Sequence, residues 1–517
     1  MAGGWPAGRV SIHLLPGMTR PLAFLAALAV ALPALIPSSR AREGTGAGHV
    51  ITGDLTLDHA VQAALAQNPD ILKQLQEIER TKGQIIEVRA QALPHLGVAS
   101  FFNYQDQRLF ERSGQNGAFS GTASGGVAFT APTNGTQQQG SGPGDKSWNV
   151  TITAKQVLYA GGQVRAAMNI AKFTGDSSSY QLRDLIDKVI ALTRTEFYDV
   201  LLNRALITVQ EESIQLLSDQ LKDQGNRFDA GTVPRFNVLR AEVALSNARP
   251  FLIRARNNYL ISQLQLAKTL GLDPGPQGKP TFYCVGQINV PERPLGLLNA
   301  LQLAKERRAF LKVQRQQILI AKEQIQVSLA SYKPRLDANG GYELRNTRLS
   351  DELDKVVGGW FYGITGSWNI FDGLETYGKV KQSRAQLEAA KIVYDDSVLQ
   401  VELEVQQAYA NVQAARETIR SQQKNVEQAL EALRLSNERF SAGAGTQLDV
   451  LDARTALTQA RTVEIEARAA YNKQLAEFDR VTATDTVYGE SFKDPLTEHK
   501  TPKAAPVKKA APAKKAQ

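Results

Sequence analysis

The chain has 517 residues, 43% hydrophobic and 21% charged, enough for more than one ordinary domain. Its net charge of +9 sits at its ends: four Arg in residues 1–42 and six Lys from 499 onward leave a body near −1. That balance excludes a nucleic-acid-binding surface, and a single cysteine, Cys284, excludes an intrachain disulfide.

Residues 1–41 read as a secretory signal: Arg20, the apolar run PLAFLAALAVALPALIP at 21–37, then small residues at 38–41. Met18 serves equally well as a start. No cysteine follows the cleavage region, so no lipoprotein anchor is expected. Beyond the signal there is no run of 18 apolar residues, so any membrane passage has to be made by strands.

A first repeat is expected over 53–272. It opens with a helix near 56–92 that Pro94 ends, followed by a strand at 95–107. A Gly/Ser/Gln-rich loop at 112–146 leads to a second strand at 147–160. There Trp148, Val150, Ile152, Ala154 and Leu158 alternate with polar residues. Gly161 and Gly162 bend the chain into a helix that runs without proline to about 227. A glycine turn then reverses it into a helix near 233–271, which Pro250 is expected to kink. The linker 273–294 contains FYCVGQINV, a candidate small strand.

The second repeat, 295–484, says the same things again. Its elements are a helix near 296–332, strands at 335–346 and 360–371, a long helix at 375–439 and a return at 446–482. RFDAGTVPRFNVLRAEVALSNAR at 227–249 matches RFSAGAGTQLDVLDARTALTQAR at 439–461 in eleven of 23 positions, at an offset of 212. Upstream the offset is 240, pairing Pro94 with Pro334, so the first copy carries 28 extra residues in its loop. Val398, Val401, Val405, Ala408, Val412, Ala415 and Ile419 step by three and four, continuing through Val426, Ala429, Leu433 and Phe440. The tail 485–517, rich in Lys, Ala and Pro, lacks the apolar content to fold.

Taken alone, the alternating segments fit a soluble hairpin with one buried face as well as tilted bilayer-spanning strands. With the helices, the expected fold class is mostly α with membrane β-strands: a twice-used unit of two strands and a long coiled-coil hairpin. Four strands cannot close a barrel, and an open sheet in lipid leaves unpaired edges. A trimer solves both problems with a 12-stranded β-barrel (three times four) and a tube of helical hairpins, which the family resemblance below makes a periplasmic α-barrel.

On LYAGG and IFDG at the strand-to-helix bends, and on the two tip sequences, residues 53–484 resemble the TolC family of outer-membrane efflux and secretion channels. The resemblance implies a homotrimer in outer-membrane lipid that extends into the periplasm. It also implies docking to a periplasmic adaptor protein coupled to an inner-membrane ABC or RND-type pump. Gly231, Thr232, Gly443 and Ala444 fall where family members meet the adaptor, although glycine is also what a helix C-terminus needs there. Asp449 and Asp452 match acidic residues that ring the closed entrance. Asp449 equally fits a capping box with Thr446. Asn237, Phe440 and Gly445 depart from the family's usual aspartate, tyrosine and basic residue.

An enzyme finds no support. His13, His49, His59, His95 and His499 are scattered, and no metal spacing, nucleophile elbow or phosphate loop is present, so neither cofactor nor metal is expected. A periplasmic coiled-coil scaffold and a stand-alone porin are the competing readings. Neither accounts for strands and heptads together. Cargo, whether small molecule or protein, is not written in the chain.

Overall fold

The computed structural model describes residues 53–104, 146–273, 278–346 and 356–484. The expected signal, most of the loop at 112–146 and the tail lie outside them. The elements run β1 (Gly53–Leu55), α1 (Leu57–Gln67), α2 (Pro69–Ala90), β2 (His95–Tyr104), β3 (Lys146–Ala160), α3 (Gln163–Asp229) and α4 (Arg235–Leu270). Then follow β4 (Phe282–Cys284), α5 (Leu297–Arg307), α6 (Ala309–Ala330), β5 (Arg335–Asn346), β6 (Val356–Ser367), α7 (Glu375–Ser441) and α8 (Gln447–Thr482). The helix starts repeat: α7 minus α3 and α8 minus α4 are both 212, while α5 minus α1 and α6 minus α2 are both 240.

The long helices α3 and α7 have 67 residues each, about 100 Å at 1.5 Å per residue. Helix α3 packs along α2, α4, α6 and α8, and α7 along α5, α6 and α8. Each long helix is thus flanked by shorter ones along its length. The stripe anticipated on α7 is its buried seam: Val401, Val405, Ala408, Val412 and Ile419 lie in one core cluster, with Val398 and Ala415 against it. Burying each of these valines contributes on the order of 1.5–3 kcal/mol, which makes packing, more than propensity, the support of so long a helix. Towards the tip the same stripe, Val426, Ala429, Leu433 and Phe440, is only half-buried.

Two expected helices are each broken in two. Over 56–92 the break is Asn68 (φ −57°, ψ 125°), which caps α2 by accepting from the backbone N–H of Asp70 (2.8 Å) and Ile71 (3.2 Å), with Pro69 next. Its Nδ2 also donates to Thr269 O at 2.8 Å, tying the end of α4 to the break. Over 296–332 the equivalent residue, Arg308, has the same extended backbone without a proline behind it. A buried guanidinium, 2.5 Å from Glu404 on α7, accompanies the break there.

A second core cluster gathers Ala60, Val61, Ile190, Phe197, Val200, Leu266 and Leu270 beneath β1 and β4. These two short strands pair in parallel, with Leu55 opposite Cys284. Burial pushes the Cys284 thiol up to about 12, so it stays protonated and inert. Polar groups cross-link the repeats nearby. Asp479 on α8 accepts from Arg293 in the linker (3.0 Å) and Arg194 on α3 (3.5 Å), and Lys473 pairs with Asp199. Removing Asp479 leaves two partly buried guanidinium groups short of a carboxylate. Asp479→Ala is therefore expected to cost about 1–3 kcal/mol, since Arg293 can still reach water, visible as a lowered melting temperature by circular dichroism. An unchanged midpoint would show that this link is not structural.

The four-stranded sheet has the order β2-β3-β5-β6, antiparallel throughout, and β2 and β6 are unpaired along their outer edges. Its register sorts the side chains by face. On one face Val98, Ile152, Tyr342 and Trp360 form a rung, and Leu96, Phe102, Leu344, Tyr362 and Ile364 flank it. On the other lie His95, Lys155 and Asn339, then Thr151 and Glu343, then Asn149 and Arg345, with Phe101, Val357 and Phe361 among them, so this face is mostly polar; Asn149 Nδ2 donates to Glu343 Oε1 at 3.0 Å. The apolar face is solvent-exposed in the protomer, with Trp360 at 79% and Tyr362 at 92%. Gly341 is dictated by the pairing, because a Cβ there would stand 2.1 Å from Ile152 O, under the Phe361 ring.

Strand β6 corrects the expected span 360–371: it ends at Ser367, which pairs with Arg335. Pro334 ends β5 at that rung, so Trp368 and Ile370 have no partner strand, and Trp368 Nε1 bonds Tyr332 O at 3.0 Å. In β3 a bulge between Val157 and Tyr159 takes Leu158 out of the alternation.

Candidate functional site: the hairpin tips

Both tips are built by one device. The last turn of α3 closes with Thr232 N–H on Arg227 O (2.9 Å) and Gly231 N–H on Phe228 O (2.8 Å). At the end of α7 the same pair is Ala444 on Arg439 O (2.8 Å) and Gly443 on Phe440 O (3.1 Å). This Schellman closure requires the left-handed region at its glycine, and φ is +72° at Gly231 and +74° at Gly443. A Cβ on either would meet nothing within 4 Å. The backbone angle, not crowding, demands glycine, and Gly231, Thr232, Gly443 and Ala444 are all exposed.

The returns differ. Helix α4 starts from Pro234 with no side-chain cap, whereas α8 starts from Thr446 in a full capping box. Thr446 Oγ1 accepts from Asp449 N–H (3.3 Å), and the Asp449 carboxylate accepts from Thr446 N–H (2.8 Å). Those bonds from Thr446, with Arg439 nearby, hold the Asp449 carboxyl below the usual aspartate range. Asp452, one turn on, is exposed and has no hydrogen bond or ion pair among the described residues. Asp449 thus caps the start of α8, and Asp452 takes no part in that cap. They share one helix face at i, i+3.

The contacts between the two tips were not visible in the sequence. The Arg227 guanidinium lies 5.4 Å over the Phe440 ring, and Gln447 Nε2 donates to Asn237 O at 3.5 Å. Arg454 Nη1 donates to Gln220 Oε1 (2.8 Å) and Leu216 O (2.9 Å), and Arg461 pairs with Glu212 (2.9 Å). Gln220, Gln224 and Gln447 are buried, so polar side chains occupy the interior near the tips while valines occupy it further up. Phe440 and Asn237, the departures noted in the sequence, are therefore engaged across the tip. They act by ring face and backbone carbonyl.

Among the described residues no group of three His, Cys, Asp or Glu side chains could hold a metal, and no helix is long and apolar enough to cross a membrane.

Comparison with known proteins agrees with this geometry. The family profile described as "Outer membrane efflux protein" matches residues 60–272 and 300–484. The chain is similar to the "Outer membrane protein TolC" of Escherichia coli K12, at 22% identity over 82% of this chain and 81% of that one. It is also similar to "Protein CyaE" of Bordetella pertussis, at 23% identity over 60% of this chain and just under two thirds (65%) of that one. Among solved structures, the Campylobacter jejuni CmeC outer membrane channel superposes with a TM-score of 0.67, at 16% identity over 85% of this chain and 89% of that one.

Proposed function

The chain belongs to the outer membrane efflux protein family, and we propose that it is the exit duct of a tripartite export system in the outer membrane of a Gram-negative bacterium. One observation carries this reading. A sheet with one apolar and one polar face, open at both edges, continues directly into helices about 100 Å long. An apolar face this exposed belongs in lipid, and open edges in lipid have to be closed. Closure by two further copies gives twelve strands (three times four), with the polar face lining a lumen and the long helices forming a tunnel.

Within the protomer the lower helices lie in the order α4, α3, α8, α7, so α4 and α7 are left as flanks for neighbouring copies. The tips, with exposed Gly231, Thr232, Gly443 and Ala444, are the end offered to a periplasmic adaptor and its inner-membrane pump. Asp449 and Asp452 line the entrance. Cargo is a small molecule or a protein. A periplasmic scaffold would have no use for the lipid-facing rung, and a stand-alone porin none for the tips.

The purified full chain in detergent is expected to sediment as a homotrimer and to conduct in planar bilayers. A folded monomer with full strand content, or a trimer that never conducts, would refute the duct.

A further inference from the structure

Where the sheet meets the helices, its polar face carries an unbalanced charge that export alone does not require. A cavity of about 590 Å³ opens there, lined by His95, Lys155, Gln163, Arg335, Asp337 and Asn339 among others. Register sets His95 beside Lys155 and Lys155 beside Asn339, all on the polar face. Arg335 and Asp337 satisfy each other at 2.8 Å. Lys155 is exposed and has no hydrogen bond or ion pair among the described residues. Lys333 is equally unpaired, and it lines an adjoining cavity that shares Gln163 and Arg335 with the first. Asp337 is the one acid among the residues lining these two cavities, and it is already taken.

Comparison of the two repeats shows that this charge is specific to one junction. At the second bend Asp372 closes the start of α7, accepting from Thr376 N–H at 2.9 Å and from the Thr376 hydroxyl. At the first bend the position 212 earlier is Ala160, and α3 begins from Gly162 without a side-chain cap. Ser367 stands where the first copy has Lys155, again 212 apart. The first junction therefore has an added cation and lacks the acid. The positive end of α3 adds to the same potential.

We propose that this junction is an anion-binding collar in which Lys155 and Lys333, with His95 beside Lys155, hold carboxylate or phosphate groups of dissolved cargo leaving the duct. The collar rests on the duct reading, which supplies the lumen and brings three such clusters around one axis. Its place on the polar face, opposite the apolar rung, selects a dissolved anion over a lipid headgroup. Rings of like charge set which ions a pore favours, and several lysines gathered around one axis suit a multivalent anion over a monovalent one.

Inorganic tripolyphosphate is the probe. Calorimetric titration of the full chain in detergent should show binding that Lys155→Gln with Lys333→Gln weakens tenfold or more, and that Lys155→Arg with Lys333→Arg retains. In bilayers, tripolyphosphate added on the extracellular side should block wild type, and the glutamine variant should need at least tenfold more. No binding by wild type, or equal binding by the glutamine variant, overturns the collar. Wild type that binds the probe yet never conducts overturns the duct reading instead.

Discussion

Ile152→Arg is expected to keep the protein out of the outer membrane, while Thr153→Arg, its immediate neighbour, leaves a folded trimer there. Ile152 sits in the central apolar rung between Val98 and Tyr342, and Thr153 faces the opposite way between Gly97 and Gly341. An arginine on the lipid face near the midplane costs ~2–4 kcal/mol per copy, hence ~6–12 kcal/mol for three copies, comparable to the whole margin of ~5–15 kcal/mol that holds a folded domain together. On the polar face the same side chain reaches water. Outer-membrane fractionation, with migration of heated and unheated samples, distinguishes the two variants. If both insert, or both fail, the sheet does not have one face in lipid.

That contrast depends on sheet parity, which the sequence announced well in β3 and β6 and poorly in β2 and β5. Trp148, Val150 and Ile152 alternate with Asn149, Thr151 and Thr153, so the face could be read directly. In β5 the stretch Asn339, Gly340, Gly341 hides the period, because Gly341 answers to the backbone of β3 and the ring of Phe361 and not to a face. The end of β6 is hidden in the sequence for a related reason. Trp368 and Ile370 continue the alternation, but a strand stops where its partner stops, and Pro334 in another part of the chain decides that.

Local signals served the helices well where they were backbone signals. The glycines at 231 and 443 and the proline-free runs between bends and tips placed both long helices within two residues of their ends. Asn68 before Pro69 was a legible break that a helical period on either side obscured. Arg308 was not legible at all: the only hint is a charge whose partner, Glu404, is 96 residues away (404 − 308). The tip contacts fail for the same reason on a larger scale. Arg454 meets Gln220 across 234 positions, and nothing in either segment names the other. What the sequence carried was the pair Asp449 and Asp452 and the ambiguity of the first; the structure shows the capping box at Asp449 and leaves Asp452 outside it.

Asp449 and Asp452 are expected to make the duct cation-selective and sensitive to trivalent cations added from the periplasmic side. In the proposed trimer, three copies would bring six carboxylates around one axis at the entrance. Carboxylates gathered there would repel one another, a cost that bound cations relieve. The field should also persist in mild acid. Bonds from Thr446 hold the Asp449 carboxyl below its ordinary range, so its charge and its cap are both present above the unfolded aspartate pKa of about 3.9, and both are lost only as pH falls through the lower folded value. Asp452 makes the division of roles testable, because it is exposed and outside the cap. Asp452→Asn should cut cation preference and weaken trivalent block several-fold without changing the melting temperature. Asp449→Asn should weaken both and also loosen the start of α8. The double variant should lose most of the selectivity in single-channel recordings. If its reversal potential and block match wild type, the entrance field comes from other residues, and Asp449 acts on the helix start alone.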